Sequence, residues 1–447
     1  MSVLGGGGSP FGDRGLRLSL TDTLRMAWAD PELRQKISFV LLMFAVFALG
    51  VNISVPIPGI SSEELFKRLE NIPFFQFLDV FGGGALRRVS IFALGLNPYI
   101  TASIIIQILT ASIPAWKKDL QEGGEYARRQ QNKKTRLLTM ILCLLQGYGL
   151  LGLMTQAVPL SQFDKATVVI FWTCGAMFIL WLGEQISEKG IGNGVSLMIF
   201  AGIMISLPTQ AKAVWNQVVV GVAQWYQLVF LAVIFIAVTW LIVLFTTAQR
   251  RIPIQHMRRQ IGTRMIGGQT SYLPLSLNLA GVIPIIFAVS LIYIPAQFAN
   301  WFPPNSSPYK FFDAIALYLI PNFTFPAGLV GSLLYTFLIF FFTYFYTAIQ
   351  YNVEDIANHL KRAGSFIPGV RPGKQTRDFI DGVISRITVV GAFFLAVVAL
   401  LQFLAPAITG VQNVGYFFGT SLLILVSVAL ETMRQIEANL LMKQYGT

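Results

Sequence analysis

Charge is scarce in this chain. Of 447 residues only 12% are Asp, Glu, Lys or Arg, while 54% are hydrophobic and the mean hydropathy is +0.63. A soluble globular domain carries about twice that share of charge, so the composition excludes one and indicates a polytopic membrane protein. The centres of the long apolar runs lack acids and bases; the nearest carboxylates, Glu184, Glu188 and Glu431, fall at run ends. An ion-coupled transporter usually needs an ionisable group at membrane depth, so this absence weighs against that class. Catalytic apparatus is equally thin. His256 and His359 are the only histidines and lie far apart in polar loops, and no Gly-x-Ser-x-Gly, His-Glu-x-x-His or phosphate-cradling loop occurs. No enzyme, cofactor or metal site is therefore expected. Cysteine is limited to Cys143 and Cys174, both inside apolar runs, where they read as small packing residues. No cleavable signal peptide is expected either, since the first apolar run begins only at Ile37 and exceeds signal-peptide length.

What is present is a succession of apolar runs with no soluble block between them. They predict an all-α membrane protein with ten transmembrane helices, at roughly 37–55, 89–112, 137–158, 166–184, 193–208, 226–248, 273–296, 326–349, 384–404 and 414–433. Residues 1–24 read as a disordered cytoplasmic preface and 25–447 as one membrane domain, with halves at about 25–210 and 220–435 and a tail at 436–447. Five spans per half place the halves in opposite orientations, which permits an inverted repeat. Basic residues cluster in the preface and after spans 2, 6 and 8, so both termini are expected on the cytoplasmic side. The net charge of +12 follows largely from that asymmetry, although arginine-rich loops also suit RNA phosphate.

The chain is organised around Phe81–Ser112. Gly82, Gly83 and Gly84, then Arg87 and Arg88, precede an uncharged run from Val89 to Ile113 that carries Ser90, Asn97, Thr101, Ser103, Gln107 and Thr110. Polar groups at membrane depth are expected to face protein or a water-filled cavity. Leu96 and Ile100 are four apart and share a helix face, with Asn97 and Thr101 on the neighbouring stripe. Pro98 predicts a kink in mid-span. A glycine-hinged re-entrant segment feeding such a helix suggests a stoppered pore; an ordinary helix packed in a bundle is the alternative. If 61–88 dips back toward the membrane, Arg87 and Arg88 face a funnel interior.

Several long motifs, in one order and spacing, carry a resemblance. They are GGALRRVSIFALGLNPYITASIIIQILT (83–110), GEQISEKGIGNGVSLMIFAGI (183–203), AQRRIPIQ (248–255), LPLSLNLAGVIPIIFA (273–288), GSFIPGVRPGKQT (364–376) and GTSLLI (419–424). From about Arg25 to the C-terminus the chain resembles the bacterial SecY family of protein-translocation channel subunits. The resemblance implies a clam-shaped channel of two inverted five-helix halves with a re-entrant plug, which passes unfolded secretory chains and releases transmembrane segments sideways into the bacterial inner membrane. An ion-coupled small-solute transporter is the competing reading.

Site residues follow from the same resemblance. It assigns a pore ring to Leu96, Ile100, Ile199, Ile286 and Ile424, with Val195 and Ile283 about one turn away. Flexible aliphatic side chains suit that place, since they close around any extended polypeptide and leave a dewetted constriction that blocks ions. Taken singly, each also fits plain bundle packing. The plug maps to Phe74, Phe75, Phe77, Leu78 and Phe81 with Gly82, Gly83 and Gly84. Thr101, Gln146 and Asn278 match polar positions of a lateral gate, where interhelical hydrogen bonds would hold a seam shut. Docking positions for the SecA ATPase and the ribosome fall on Arg250, Arg251, Arg258, Arg259, Arg264, Lys361, Arg362, Arg371 and Lys374. SecE, SecG, a signal-bearing polypeptide and membrane lipid complete the implied partners. Thr263, Val353 (after Asn352) and His359 depart from the family pattern at the docking loops.

Overall fold

A computed structural model describes residues 20–56, 79–155, 161–221, 223–256, 259–261, 264–266, 270–299, 302, 306–321, 327–410 and 418–446. Helix α1 (Leu20–Ala29) leads into α2 (Pro31–Val51). Asp30 separates them because its carboxylate accepts the Glu32 and Leu33 N–H groups while Pro31 occupies the first turn, where no amide is needed.

The first difference from the sequence reading comes next. Residues 89–96, expected to be helical, form turns, and α3 runs only from Asn97 to Ser112. Pro98 stands in its first turn, so it starts the helix and does not kink it. Sixteen residues span about 24 Å, less than a bilayer core of about 30 Å. The irregular stretch makes up the difference, tolerable at that depth because it is buried in protein. A bend of 96° then turns the chain into α4 (Pro114–Glu122).

Helices α5 (Gly124–Thr155), α6 (Gln162–Lys189), α7 (Gly194–Val219) and α8 (Trp225–Thr247) follow. Several overrun the predicted spans. The start of α5 absorbs much of the basic stretch expected as loop, with Glu125 and Arg129 paired one turn apart.

Beyond α8 the chain forms an antiparallel ribbon, a second difference. Strand β1 (Gln249–His256) pairs with β4 (Thr270–Ser276) in the register Arg250 to Leu275 and Gln255 to Thr270. β2 (Arg259–Ile261) and β3 (Arg264–Ile266) pair nearer its tip. The predicted seventh span from 273 is thus corrected: 270–276 is strand, and α9 covers Ile283–Ala299. Leu273, Leu275, Leu277 and Leu279 alternate with other residues, the two-residue period of a strand. Leu275 and Leu279 are buried with Ile252 and Ile380.

The remaining elements are α10 (Ser307–Leu319), α11 (Ala327–Gln350), α12 (Val353–Arg362), β5 (Ser365–Phe366), α13 (Lys374–Thr409) and α14 (Thr420–Gly446). Ten of the helices, α2, α3, α5–α9, α11, α13 and α14, fall where spans were expected. Among the described residues, seven helices are long and apolar enough to cross a membrane alone, and the bent α3–α4 pair brings the number to eight. α9 and α14 lie outside that set; α9 is apolar but short.

Two buried clusters meet at the middle of the bundle. One joins Phe47 and Val51 of α2, Phe92 of the irregular stretch, Ile179 and Ile186 of α6, and Ile424 of α14. Phe92 stacks between Phe47 and Phe178, at centroid separations of 5.7 and 6.1 Å. The other links the far side of that stretch to α9, α11 and α13 through Ala288, Ile292, Tyr335 and Leu395.

Candidate pore and lateral gate

The loop at residues 79–90 is closed by its own hydrogen bonds. The Asp79 carboxylate accepts the Arg87 N–H at 2.9 Å and lies 3.4 Å from the Arg87 guanidinium. The Gly84 N–H donates to the Asp79 carbonyl at 2.8 Å. Gly83 and Gly84 take φ values of 72° and 81°, which only glycine adopts readily, so this turn needs them. The next residues lie alongside the end of α2: the Val55 N–H donates to Val89 and the Ile91 N–H to Ile53. Arg88 is exposed and bonds Asn52, whereas Arg87 folds back onto Asp79. Phe74, Phe75, Phe77 and Leu78 lie outside the described residues.

A cavity of about 20 Å³, room for about one water, sits beneath that loop. Leu96, Ile100, Ile199 and Ile286 line it together with Phe81 and Gly82. Four residues from three helix regions far apart in sequence thus converge on the glycine turn. Leu96 and Ile199 are 8% and 5% exposed, and Ile424, 1% exposed, belongs to the same cluster. Val195 packs against it too, while Ile283 packs in the neighbouring cluster. Asn97 and Ser290 also line the cavity, and Ser290 was not foreseen. The start of α14 is fixed by a buried bond from Thr420 Oγ1 to Gln402 Oε1, 2.9 Å, which orients the turn that carries Ile424.

Helices α3 and α5 both pack against α9, forming a seam between the two parts of the molecule. The polar residues expected to bond across it do otherwise. Thr101 donates to the Asn97 carbonyl of its own helix, and Gln146 accepts from Asn97 on the same side. Asn278 precedes α9, and its Oδ1 is buried without a hydrogen-bond partner among the described residues.

The two basic loops form one platform. β1 lies between β4 and β5, pairing Gln255 with Phe366, so the ribbon and the 364–376 loop are continuous. Arg250, Arg251, Lys361, Arg362, Arg371 and Lys374 are exposed around it. Gly369 and Gly373 take positive φ, and the Arg371 carbonyl accepts Thr376 Oγ1 at 2.9 Å, which holds the loop in shape. Arg259 and Arg264 stand in β2 and β3; Arg258 and Thr263 lie outside the described residues. At the departure near Val353, Asn352 still caps α12, accepting the Glu354 and Asp355 N–H groups, and His359 lies exposed in its last turn.

A multi-helix membrane bundle in which a glycine turn meets a small cavity lined by aliphatic side chains has the fold of a channel-forming class. Solved structures of that class superpose on it: "the structure of a protein conducting channel" covers 91% of this chain and 92% of its own at a TM-score of 0.67 and 20% identity. A SecY structure whose plug domain is described as stabilising the closed state gives 0.66 at 19% identity, and Sec61 in the canine ribosome-channel complex gives 0.63 at 18%. The SecY family model matches residues 90–433. SecY of Chlamydia muridarum is 39% identical over 95% of this chain and 97% of its own length, and SecY of Escherichia coli K12 is 39% identical over 93% of each. The chain belongs to the SecY family: it is a multi-pass channel subunit of the Sec protein translocase and not an enzyme. The solute-transporter reading is thereby set aside.

Proposed function

We propose that Leu96, Ile100, Ile199, Ile286 and Ile424 form the constriction through which the translocating chain passes, with Val195 and Ile283 flanking it and the 72–88 segment as its plug. The observation that carries this reading is the shared cavity of four of the five residues with Phe81 and Gly82. Aliphatic side chains there offer an extended polypeptide no hydrogen bond that would hold it, and with the plug in place they exclude hydrated ions. The α3/α5–α9 seam is the lateral gate for transmembrane segments. Its apolar contacts suit opening toward lipid, where exposed aliphatic surface carries little penalty.

The exposed platform around Arg371, including Arg250, Arg251, Lys361, Arg362 and Lys374, is the docking surface for the SecA ATPase and the ribosome. SecE and SecG complete the channel, which lies in the bacterial inner membrane with both termini cytoplasmic. Residues 25–447 act as one channel domain, with halves at about 25–210 and 220–435 and a cytoplasmic tail at 436–447.

A disulfide across the seam tests the gate. Ile100→Cys on α3 and Ser290→Cys on α9 line one small cavity, and a disulfide needs α-carbons within about 7 Å. The pair should crosslink in the resting channel, block entry of a signal sequence and recover on reduction. A crosslinked channel that still accepts the signal sequence would remove the gate from this seam.

A further inference from the structure

The channel reading leaves open what holds the plug against the constriction, and bare backbone on α7 supplies an answer. A Cβ added at Gly202 would stand 2.2 Å from the Phe81 carbonyl oxygen and 3.4 Å from the Gly83 nitrogen. The first distance is far inside van der Waals contact, and the obstructing atom belongs to backbone, which cannot swing aside as a side chain does. Across the same contact, a Cβ added at Gly83 would meet Gly202 Cα at 3.4 Å and Ile205 Cβ at 3.5 Å. Gly95 also stands beside this turn, where an added Cβ would lie 3.7 Å from Gly82 Cα, an ordinary contact. The close approach is therefore the one between the 81–83 backbone and α7.

Position along α7 ties this contact to the constriction. Ile199 and Gly202 are three residues apart, so they share one face of the helix. The aliphatic residue contributes to the cavity, and one turn further the glycine receives the loop above it. Two other glycines support the fixed part of the re-entrant stretch: Gly175 on α6 lies against the Ile91 carbonyl, and Gly50 on α2 against the Phe92 ring. Residues 89–92 are also held by hydrogen bonds to the segment after α2. Gly202, by contrast, stands closest to the 81–83 part, which is closed on itself through Asp79 and Arg87.

We propose that Gly202 is the seat of the plug, a positioning residue whose lack of a side chain lets the Phe81–Gly83 backbone close on α7 and keep the resting channel sealed. This rests on the channel reading above. Gly202→Ala forces the loop off its seat by roughly the missing contact distance. Resting ion permeability then rises, and the channel accepts substrates whose signal sequence is too weak to unseat the plug.

The test uses the complete translocase complex in planar bilayers and in export assays. Gly202→Ala is expected to raise resting conductance several-fold and to increase export of a protein with a defective signal sequence. Wild-type conductance and wild-type rejection of that substrate would overturn the proposal. If Gly202→Ala does not assemble, a photoreactive phenylalanine analogue at Phe81 in an otherwise unmodified channel decides, because the Phe81 backbone lies against Gly202. A resting-state crosslink to α7 that is lost when a signal sequence opens the channel supports the seat; no crosslink to α7 in the resting state overturns it. Serine variants of Leu96 and Ile100 run alongside. Leak in those but not in Gly202→Ala removes the seat alone, whereas no leak in either removes the constriction on which it rests.

Discussion

Asp79 holds Arg87 twice, accepting its backbone N–H at 2.9 Å with one oxygen and facing its guanidinium at 3.4 Å with the other. The pair closes residues 79–87 into a loop that presents Phe81 and Gly82 to the cavity. A side-chain hydrogen bond contributes about 1 kcal/mol, and burial of the Asp79 carboxyl, which raises its pKa, offsets part of the gain from its charge. Asp79→Ala is therefore expected to loosen the loop by that order, seen as faster amide exchange at 80–88 while α6 and α7 stay protected. Unchanged exchange would show that packing alone holds the loop.

Asn278 makes the opposite prediction. Its buried carbonyl oxygen has no hydrogen-bond partner among the described residues, so an apolar side chain of similar size removes a cost and no bond. Asn278→Leu is expected to stabilise the closed channel by about 1 kcal/mol and to slow opening by a signal sequence. Thermal denaturation of the complex with a translocation-rate assay measures both. A destabilised or faster-opening variant would mean that Asn278 is bonded in the resting state.

Arg371 lies exposed in the rigid Gly369–Gly373 loop, remote in sequence from every cavity residue. Arg371→Glu reverses charge on the proposed docking platform and should sharply reduce ATPase-driven translocation while leaving resting leak and channel assembly unchanged. Normal ATP-dependent translocation by this variant would remove Arg371 from the docking surface.

The tail supplies a pH-dependent contact. Lys443 on α14 bonds Asp30 at 2.9 Å and Glu32 at 2.8 Å. The hydrogen bond from Lys443 holds Asp30 below the usual carboxylate range, and those from Lys36 and then Lys443 do the same for Glu32; Lys443 is pushed up by Glu32 and Asp30. With both acids lowered, their contribution is full above the ordinary carboxylate range and is lost as pH falls through the depressed values. With the amine raised, its contribution is lost only as pH climbs past the ordinary ammonium range. Amide protection factors at 436–446, which remove the intrinsic pH dependence of exchange, should thus be highest near neutrality and fall in acid, and Lys443→Gln should flatten the acid limb. An acid limb unaltered in Lys443→Gln would show that this contact does not secure the tail.

How much of this was legible beforehand differs by feature. The spans read easily because a helix such as α8 is apolar all round, and no other environment accepts it. The residues proposed for the constriction could be named only through the family motifs, since Ile199 and Ile286 look like any membrane-helix isoleucine until the fold brings them to one cavity. Pro98 was misread because a proline's effect depends on where the helix begins, and the buried irregular turns before it leave little trace in hydropathy. The ribbon was missed although Leu273 to Leu279 alternate, because apolarity over 273–288 also fits a span. Gly202 carried no signal of its own. A glycine matters here through the carbonyl facing it, and that carbonyl arrives from about 120 residues earlier in the chain.

Resting conductance of the reconstituted complex in a planar bilayer tests the central claim most directly. Replacing two or more of Leu96, Ile100, Ile199, Ile286 and Ile424 with serine should wet the constriction and raise the leak of small ions with no substrate present, while Ile-to-Leu exchanges at the same positions leave it low. Serine variants that conduct no more than the unmodified channel would contradict the account and move the barrier elsewhere in the bundle.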